Sequence, residues 1–474
     1  MFASDYFGIC NKNKSSGIPS GYSLGLISIF CPISKRFFAD LRCFCKTGFN
    51  QPPALMDGPE PATRPTCERP GSRIMADMNP KANIEAIQAA IHEAGFDGWL
   101  FYDHHHRDPI GERILGMDPK LHVTRRWYYF VPATGEPRKL VHRIEQARLD
   151  ALPGAKAMYS SWQELAQGLE ALLSGARTVA MQYSPNNAIM YVSMADAGTV
   201  EFLRSLGKQI VSSADMVSQF EAVLNEEQVA SHSVAQRAID AILAEGWREI
   251  GRRIRPGEGK TGVYSEFDHV QWLSEAMRRE GLVWADGPNV SVNANCSDSH
   301  YEPTADRCSP IREGDFLLID IWARLNTPNS VYYDITWTGV VGREPAEHEQ
   351  KVFEIVLGAR DAAIRVVEQA FAAGRPICGF EADDAARAVI QAAGFGEFFT
   401  HRTGHNIGQE VHGVGANLDN LETHDVRLLL PNTCFSVEPG IYLPKFGVRA
   451  EIDMMTAPGK AWVTGKIQRE LVRI

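Results

Sequence analysis

From Asn79 onward, stretches with the spacing of helices alternate with stretches that read as strands. "NPKANIEAIQAAIHEAG" (79–95) predicts a helix with Asn79 as N-cap, Pro80 at its first position and Gly95 just past its end. "DGWLFY" (Asp97–Tyr102) follows as a strand. A second helix is expected from Ser161, where Glu164 three residues on completes a capping box, to near Gly175. The strand "TVAMQY" (Thr178–Tyr183), a helix over Asp196–Leu206 and the strand "KQIVSS" complete the run. This alternation predicts an α/β domain over about residues 76–215 with a mixed or parallel sheet.

The pattern then changes. Ala214–Arg255 is almost continuously helical and charged, ending at "RPGEG", and reads as a linker helix followed by the first helix of a second domain. An amphipathic helix is expected over about Tyr264–Arg279. Beyond Gly281 strands dominate, interrupted by two long helices, about Ala346–Ala373 and Ala382–Ala393. The second unit, residues 224–474, is therefore expected to be a largely antiparallel α+β domain.

Composition narrows the classes. The 474 residues suit two or three units, and 44% apolar with 22% charged residues is ordinary for a globular protein. A formal charge of −10 leaves no basic surface for nucleic acid. Five of the nine cysteines fall in the first 67 residues. The later ones, Cys296, Cys308, Cys378 and Cys434, form no CxxC pair, which argues against a zinc ribbon and for buried thiols in a reducing cytoplasm. Residues 1–74 carry no helical period. They are expected to be disordered or an over-extended start, with the working protein beginning near Met75 or Met78. Their most apolar part, Gly21–Ile33, is too short to span a bilayer, and no other transmembrane segment is predicted.

Chemistry concentrates in the second unit. "GDFLLIDIWARL" and "VYYDITWTGVV" flank the turn-rich "NTPN". A hairpin centred on Thr327 would set Asp320 opposite Asp334. "NTCFSVEPGIY" and "GVRAEIDMMT" flank "LPKFG", and Glu438 and Glu451 are equidistant from the Pro444–Lys445 bond. Directly paired residues have Cβ atoms about 4.5–5.5 Å apart. Carboxylates held so close on apolar strands repel each other unless a proton or a cation lies between them. A third segment, "HRTGHNIGQEVHG" (401–413), holds three of the 14 histidines. His401 and His405 have the i, i+4 spacing of a helical zinc pair, but no Glu follows the first, and Gly404 and Gly408 disfavour a helix. An extended strand-and-loop piece is expected, with its partners elsewhere in the chain. Four carboxylates and one imidazole suit two divalent cations, Mn²⁺, Co²⁺ or Fe²⁺ at least as well as Zn²⁺.

The order Asp320, Asp334, His405, Glu438, Glu451, with "LLIDI…YYDIT", "GHNIGQEVHG", "VEPGIY" and "GVRAEID", resembles the M24 metallopeptidases of pita-bread fold, over about Leu224–Ile474. The preceding domain is similar to the creatinase/prolidase amino-terminal domain, which points to the Xaa-Pro aminopeptidase and prolidase branch. The resemblance implies two divalent metals per subunit, Mn²⁺ first. Asp320 would ligate one metal, His405 the other, and Asp334 and Glu451 both; Glu438 would ligate and help deprotonate a bridging water. It implies that His412 stabilises the tetrahedral intermediate, that His300 of "NCSDSHYEP" faces substrate, and that Arg449 and His401 support the substrate site. The chain departs from the family at Trp322, where Gly is usual, at Trp337 in place of the Arg of "DxTRT", and in a longer connection between the aspartates. These departures bear on the substrate more than on the metals.

The expected activity is hydrolysis of Xaa-Pro bonds in short peptides by a cytoplasmic homodimer that binds neither nucleic acid nor membrane. The rivals are a hydrolase or lyase of the same superfamily acting on a small non-peptide metabolite, and a binding homologue without turnover. "DHHHRD" (103–108) reads first as a silent surface loop, next as a loop reaching a neighbouring protomer's site, and last as a metal ligand set. Arg427 reads as a surface salt bridge before a clamp for a substrate carboxylate. Trp322 and Trp337 also read as ordinary core aromatics.

Overall fold

The computed structural model describes residues 80–254 and 263–474. Residues 1–74, the expected cap Asn79 and the "RPGEG" stretch (255–259) lie outside them. The first helix runs Pro80–Ala94, and Gly95 leaves it at φ +70°, a left-handed conformation that costs glycine little. Both hydrogen bonds of the Ser161 capping box are present ahead of the helix Trp162–Leu172, and Asp196 caps Ala197–Ser205.

These helices flank a six-stranded sheet in the order Ala155–Tyr159, Arg138–His142, Trp127–Pro132, Gly98–Asp103, Thr178–Met181, Gln209–Ser212. Trp127–Pro132 runs antiparallel to both neighbours, and the other pairings are parallel. The sheet is mixed, as expected, but the three strands between 127 and 159 escaped the sequence pattern. "WYYFVP" is buried on both faces and has no alternation to show. Ala155–Tyr159 is an edge strand with four of its five residues exposed.

Asp108, also unforeseen, caps the short helix Pro109–Ile114 by accepting from the Gly111 N–H at 2.9 Å. Burial pushes its carboxyl up to about 7, opposed by that hydrogen bond and reinforced by Asp103 and Glu112. Between about pH 4 and 7 the folded chain holds a proton there that the unfolded chain has released. Its contribution to stability therefore falls as pH rises through this window. Asp108→Asn keeps a capping oxygen and removes the titration. Unfolding free energies of the two proteins from denaturant titrations at pH 4 to 8 should diverge in the variant's favour by about 4 kcal/mol towards pH 8. Parallel curves would show that Asp108 does not titrate in this range.

In the carboxy-terminal part the long helix Glu226–Ile254 and the helix Glu266–Arg279 pack on one face of a sheet built on Phe316–Leu325 and Tyr333–Val340. The strand period of two sorts the residues. Leu317, Ile319, Ile321 and Ala323, with Tyr333 and Ile335, face those two helices. Phe316, Leu318 and Val340 face the other way, into a core shared with the helices Glu347–Ala372 and Gly379–Ala392 and with a second antiparallel sheet. That sheet is ordered Asn406–Ile407, Cys434–Val437, Ile452–Ala457, Lys460–Thr464. Asp320, Asp334 and Thr336 share the parity of this second set, so the face that meets the second sheet carries the acids.

Candidate metal centre

The first hairpin differs from expectation by two residues. Asp320 lies opposite Thr336, and Asp334 opposite Trp322. The slip arises where the returning arm is claimed by other parts of the chain. Asn329 turns at φ +60°, the Val331 N–H donates to Ser231 Oγ, and the Tyr332 N–H donates to the Gly408 carbonyl. The ladder restarts only at Tyr333. A shift of two preserves the face, so the aspartates remain diagonal neighbours on one side. The second hairpin keeps the expected register. Gly440 pairs Arg449, Leu443 pairs Phe446, and beyond a break Val437 pairs Ile452 in the same frame. Glu438 and Glu451 occupy that break on opposite arms, where their side chains are freed from a continuous ladder.

The histidine segment is extended, not helical. His405 precedes the short strand Asn406–Ile407, and its N–H donates to Ser436 Oγ at 3.0 Å. Its Nε2 stands 3.3 Å from Glu438 Oε1 and 3.8 Å from Asp334 Oδ2. Asp334, His405 and Glu451 each offer a ligand atom within 4.8 Å of the others. Thr336 Oγ1 joins the two hairpins, 2.9 Å from Asp320 Oδ1 and 2.6 Å from Glu451 Oε2. Arg449 is paired with Asp320 and lies 4.0 Å from both glutamates.

The electrostatics ask for more positive charge than Arg449 supplies. Burial raises the carboxyls of Asp334 and Glu451 well above the usual range, and the neighbouring acids add to it. Glu438 is raised by burial, with Arg449 and Arg402 opposing. Burial, then His412 and Arg402, holds His405 well below its ordinary value, so it is a neutral imidazole able to bind metal. Asp334 Oδ1 is buried without any hydrogen-bond partner. An orphaned carboxylate oxygen among repelling acids, beside a neutral imidazole, fits divalent cations.

The remaining candidates are disposed unequally. The His412 ring lies 4.4 Å from that of His405, edge to face, and burial with Arg402 and His300 pushes it down to about 4. His300 sits in an exposed turn, near enough for its charge to act on His412. His401 is bound from Nε2 to the Tyr442 hydroxyl at 2.6 Å and from Nδ1 to the Arg402 carbonyl, and burial with Arg449 pushes it down to about 3. Trp322 packs over Gly287, where a Cβ would come within 2.4 Å of the indole. Trp337 packs against the helix-facing core, its Nε1 buried and unbonded.

Arg427 is not on the surface. It is buried, bidentate to Asp425 at 2.9 and 2.6 Å, and donates to the Val414 carbonyl. In the "DHHHRD" loop, Asp103, His106 and Glu112 lie near one another, but Asp103 accepts three backbone N–H groups and Glu112 pairs with Arg148. Both carboxylates are thus engaged in holding the loop. Thr336, Tyr442, Arg402 and Asp453, whose Oδ2 accepts the Asp334 N–H at 2.9 Å, were missed. Thr336 was accessible from the strand period, two residues after Asp334. Asp453, two residues after Glu451, needed the contact between the sheets.

The pattern of metallopeptidase family M24 matches residues 232–457. The Xaa-Pro dipeptidase of Pyrococcus furiosus is 35% identical over 163 residues, 34% of this chain and 43% of that protein. The Xaa-Pro dipeptidase of Lactobacillus helveticus is 30% identical over 199 residues, 42% of this chain and 48% of that one. The chain thus spans about half the length of these curated relatives. The crystal structure of dipeptidase PepE from Mycobacterium ulcerans superposes with a TM-score of 0.61 at 23% identity, covering 83% of this chain and 97% of that one. The fold is that of the prolidases, a pita-bread unit behind an α/β domain. With the acids, the imidazole and the pattern in agreement, residues 232–457 carry the pattern of metallopeptidase family M24.

Proposed function

We propose that this protein is a metallo-exopeptidase that hydrolyses Xaa-Pro bonds near the amino end of short peptides. The observation that carries this is the convergence of Asp320, Asp334, His405, Glu438 and Glu451 from two sheets on one buried point, within an M24 unit behind a prolidase-type domain. The two domains are assigned to residues 76–215 and 224–474. The five side chains would hold two divalent cations, Mn²⁺ first among Mn²⁺, Co²⁺, Fe²⁺ and Zn²⁺. When bound, such ions polarise a carbonyl and acidify a water molecule.

The chain's own groups do the rest. Glu438, whose Oε1 lies 3.3 Å from His405 Nε2, accepts the proton of the attacking water. His412, neutral at that pH, donates an N–H to the oxygen that gains charge in the transition state. His300 extends this side of the site towards the substrate. Arg449 fixes Asp320, and His401 acts through Tyr442. The proline nitrogen of the substrate has no N–H to recognise, so selectivity falls to the shape of an apolar wall. A homodimer in the cytoplasm remains the assembly and location in this reading.

Trp322, beside Asp334 where the family usually has Gly, favours one alternative, a small non-peptide amide as substrate. Metal analysis combined with a panel of Xaa-Pro dipeptides and longer peptides separates the readings. About two metals per subunit with turnover supports the exopeptidase. Metal without peptide turnover supports the metabolite hydrolase. Absence of both supports a binding homologue.

A further inference from the structure

A crevice of about 680 Å³ opens at the edge of the amino-terminal sheet, lined by none of the metal-centre residues. It lies where the strands Gly98–Asp103 and Ala155–Tyr159 end and the helices Trp162–Leu172 and Ala197–Ser205 begin. Open α/β sheets commonly take ligands outside the carboxyl ends of their strands, and small-molecule sites run to roughly 300–1,000 Å³. Tyr102 and Tyr128, stacked at 5.0 Å, are part of its lining, with Leu165 and Phe202 as further apolar contributions.

The lining is unbalanced in charge. Arg107, Arg125 and Arg126 all face the crevice. Among the described residues of this sheet domain, the ion pairs are made by Arg113, Arg148, Lys156 and His106 instead. The Arg126 charge acts on Tyr102, Tyr128, Tyr159 and His104, which places it centrally. Its loop is braced: Glu145 accepts the N–H groups of Thr124 and Arg125, and the Tyr159 hydroxyl donates to the Arg126 carbonyl at 2.8 Å. Among the described residues the one lining carboxylate, Asp196, is already occupied by the Tyr102 hydroxyl and by the N–H and hydroxyl of Thr199. On the same lining Trp162 is 75% exposed and offers a flat face for a planar ring.

We propose that this crevice binds a small organic anion bearing a planar ring, the anionic group held by Arg126 with Arg107 and Arg125 and the ring laid against Trp162. A nucleoside phosphate and an aromatic carboxylate share this chemistry. The test is calorimetric titration of the metal-loaded full chain with adenosine 5′-monophosphate, indole-3-acetate and inorganic phosphate. It is repeated on Trp162→Ala and on Arg126→Ala, with Arg126→Gln as substitute if the alanine variant does not melt cooperatively. Saturable binding of either ring compound at one site per subunit, weakened at least tenfold by each substitution, is the expected result. The compound that binds names the source, phosphate or carboxylate. The proposal is overturned if neither ring compound binds. Binding that survives loss of Arg126, and so lies elsewhere such as at the metal centre, overturns it too. So does inorganic phosphate binding as tightly as the ring compounds.

Discussion

Glu438→Ala is expected to lower the turnover of an Xaa-Pro dipeptide on the order of 10²–10⁴-fold, the range over which a positioned proton acceptor contributes. Glu438 stands 3.3 Å from the metal-type imidazole of His405, and burial raises its proton affinity against the opposing charges of Arg449 and Arg402. It also offers oxygens to a cation, so a loss of rate has two sources. Metal content measured on the same preparation separates them. Glu438→Gln keeps an oxygen donor but cannot take the proton; retained metal with lost turnover would identify proton transfer as the deficit. Full activity in a metal-loaded Glu438→Ala protein would remove the mechanism.

Arg427→Ala is expected to destabilise the fold by about 3–5 kcal/mol, because it strips a buried carboxylate of its bidentate cation. Asp425 would be left at 0% exposure with its charge unmatched, while its Oδ2 still accepts the Asn417 N–H at 2.8 Å. Denaturant unfolding reads this directly. The ratio of dipeptide to tripeptide turnover should not change, since Arg427 spends its donors on Asp425 and Val414. A stable variant with an altered ratio would restore Arg427 to substrate recognition.

What the sequence disclosed and withheld follows from physical range. Helix limits were legible because caps act over three residues: Ser161 with Glu164, and Gly95 at the end of the first helix, stand as expected. The second hairpin was legible because its turn is short and its two arms share one register on both sides of the break. The first was misplaced by two because Val331 and Tyr332 bond outside the hairpin, to Ser231 and Gly408, and no local pattern announces partners so distant. The strand parity survived that error, which is why the acids were still assigned to one face. Arg427 was misjudged because a lone charged residue near a loop carries no mark of burial. The strand "WYYFVP" was missed because a strand covered on both sides has no polar phase to read.

The link between Asp334 and Asp453 spans 119 residues, and that between Thr336 and Glu451 spans 115. Both must close before the acids face one another. Pairings of such separation form slowly, after the entropy of a long loop has been overcome. A refolding chain should therefore regain its helices well before it can capture a metal ion, and the competence to bind one becomes a clock for the last step of folding.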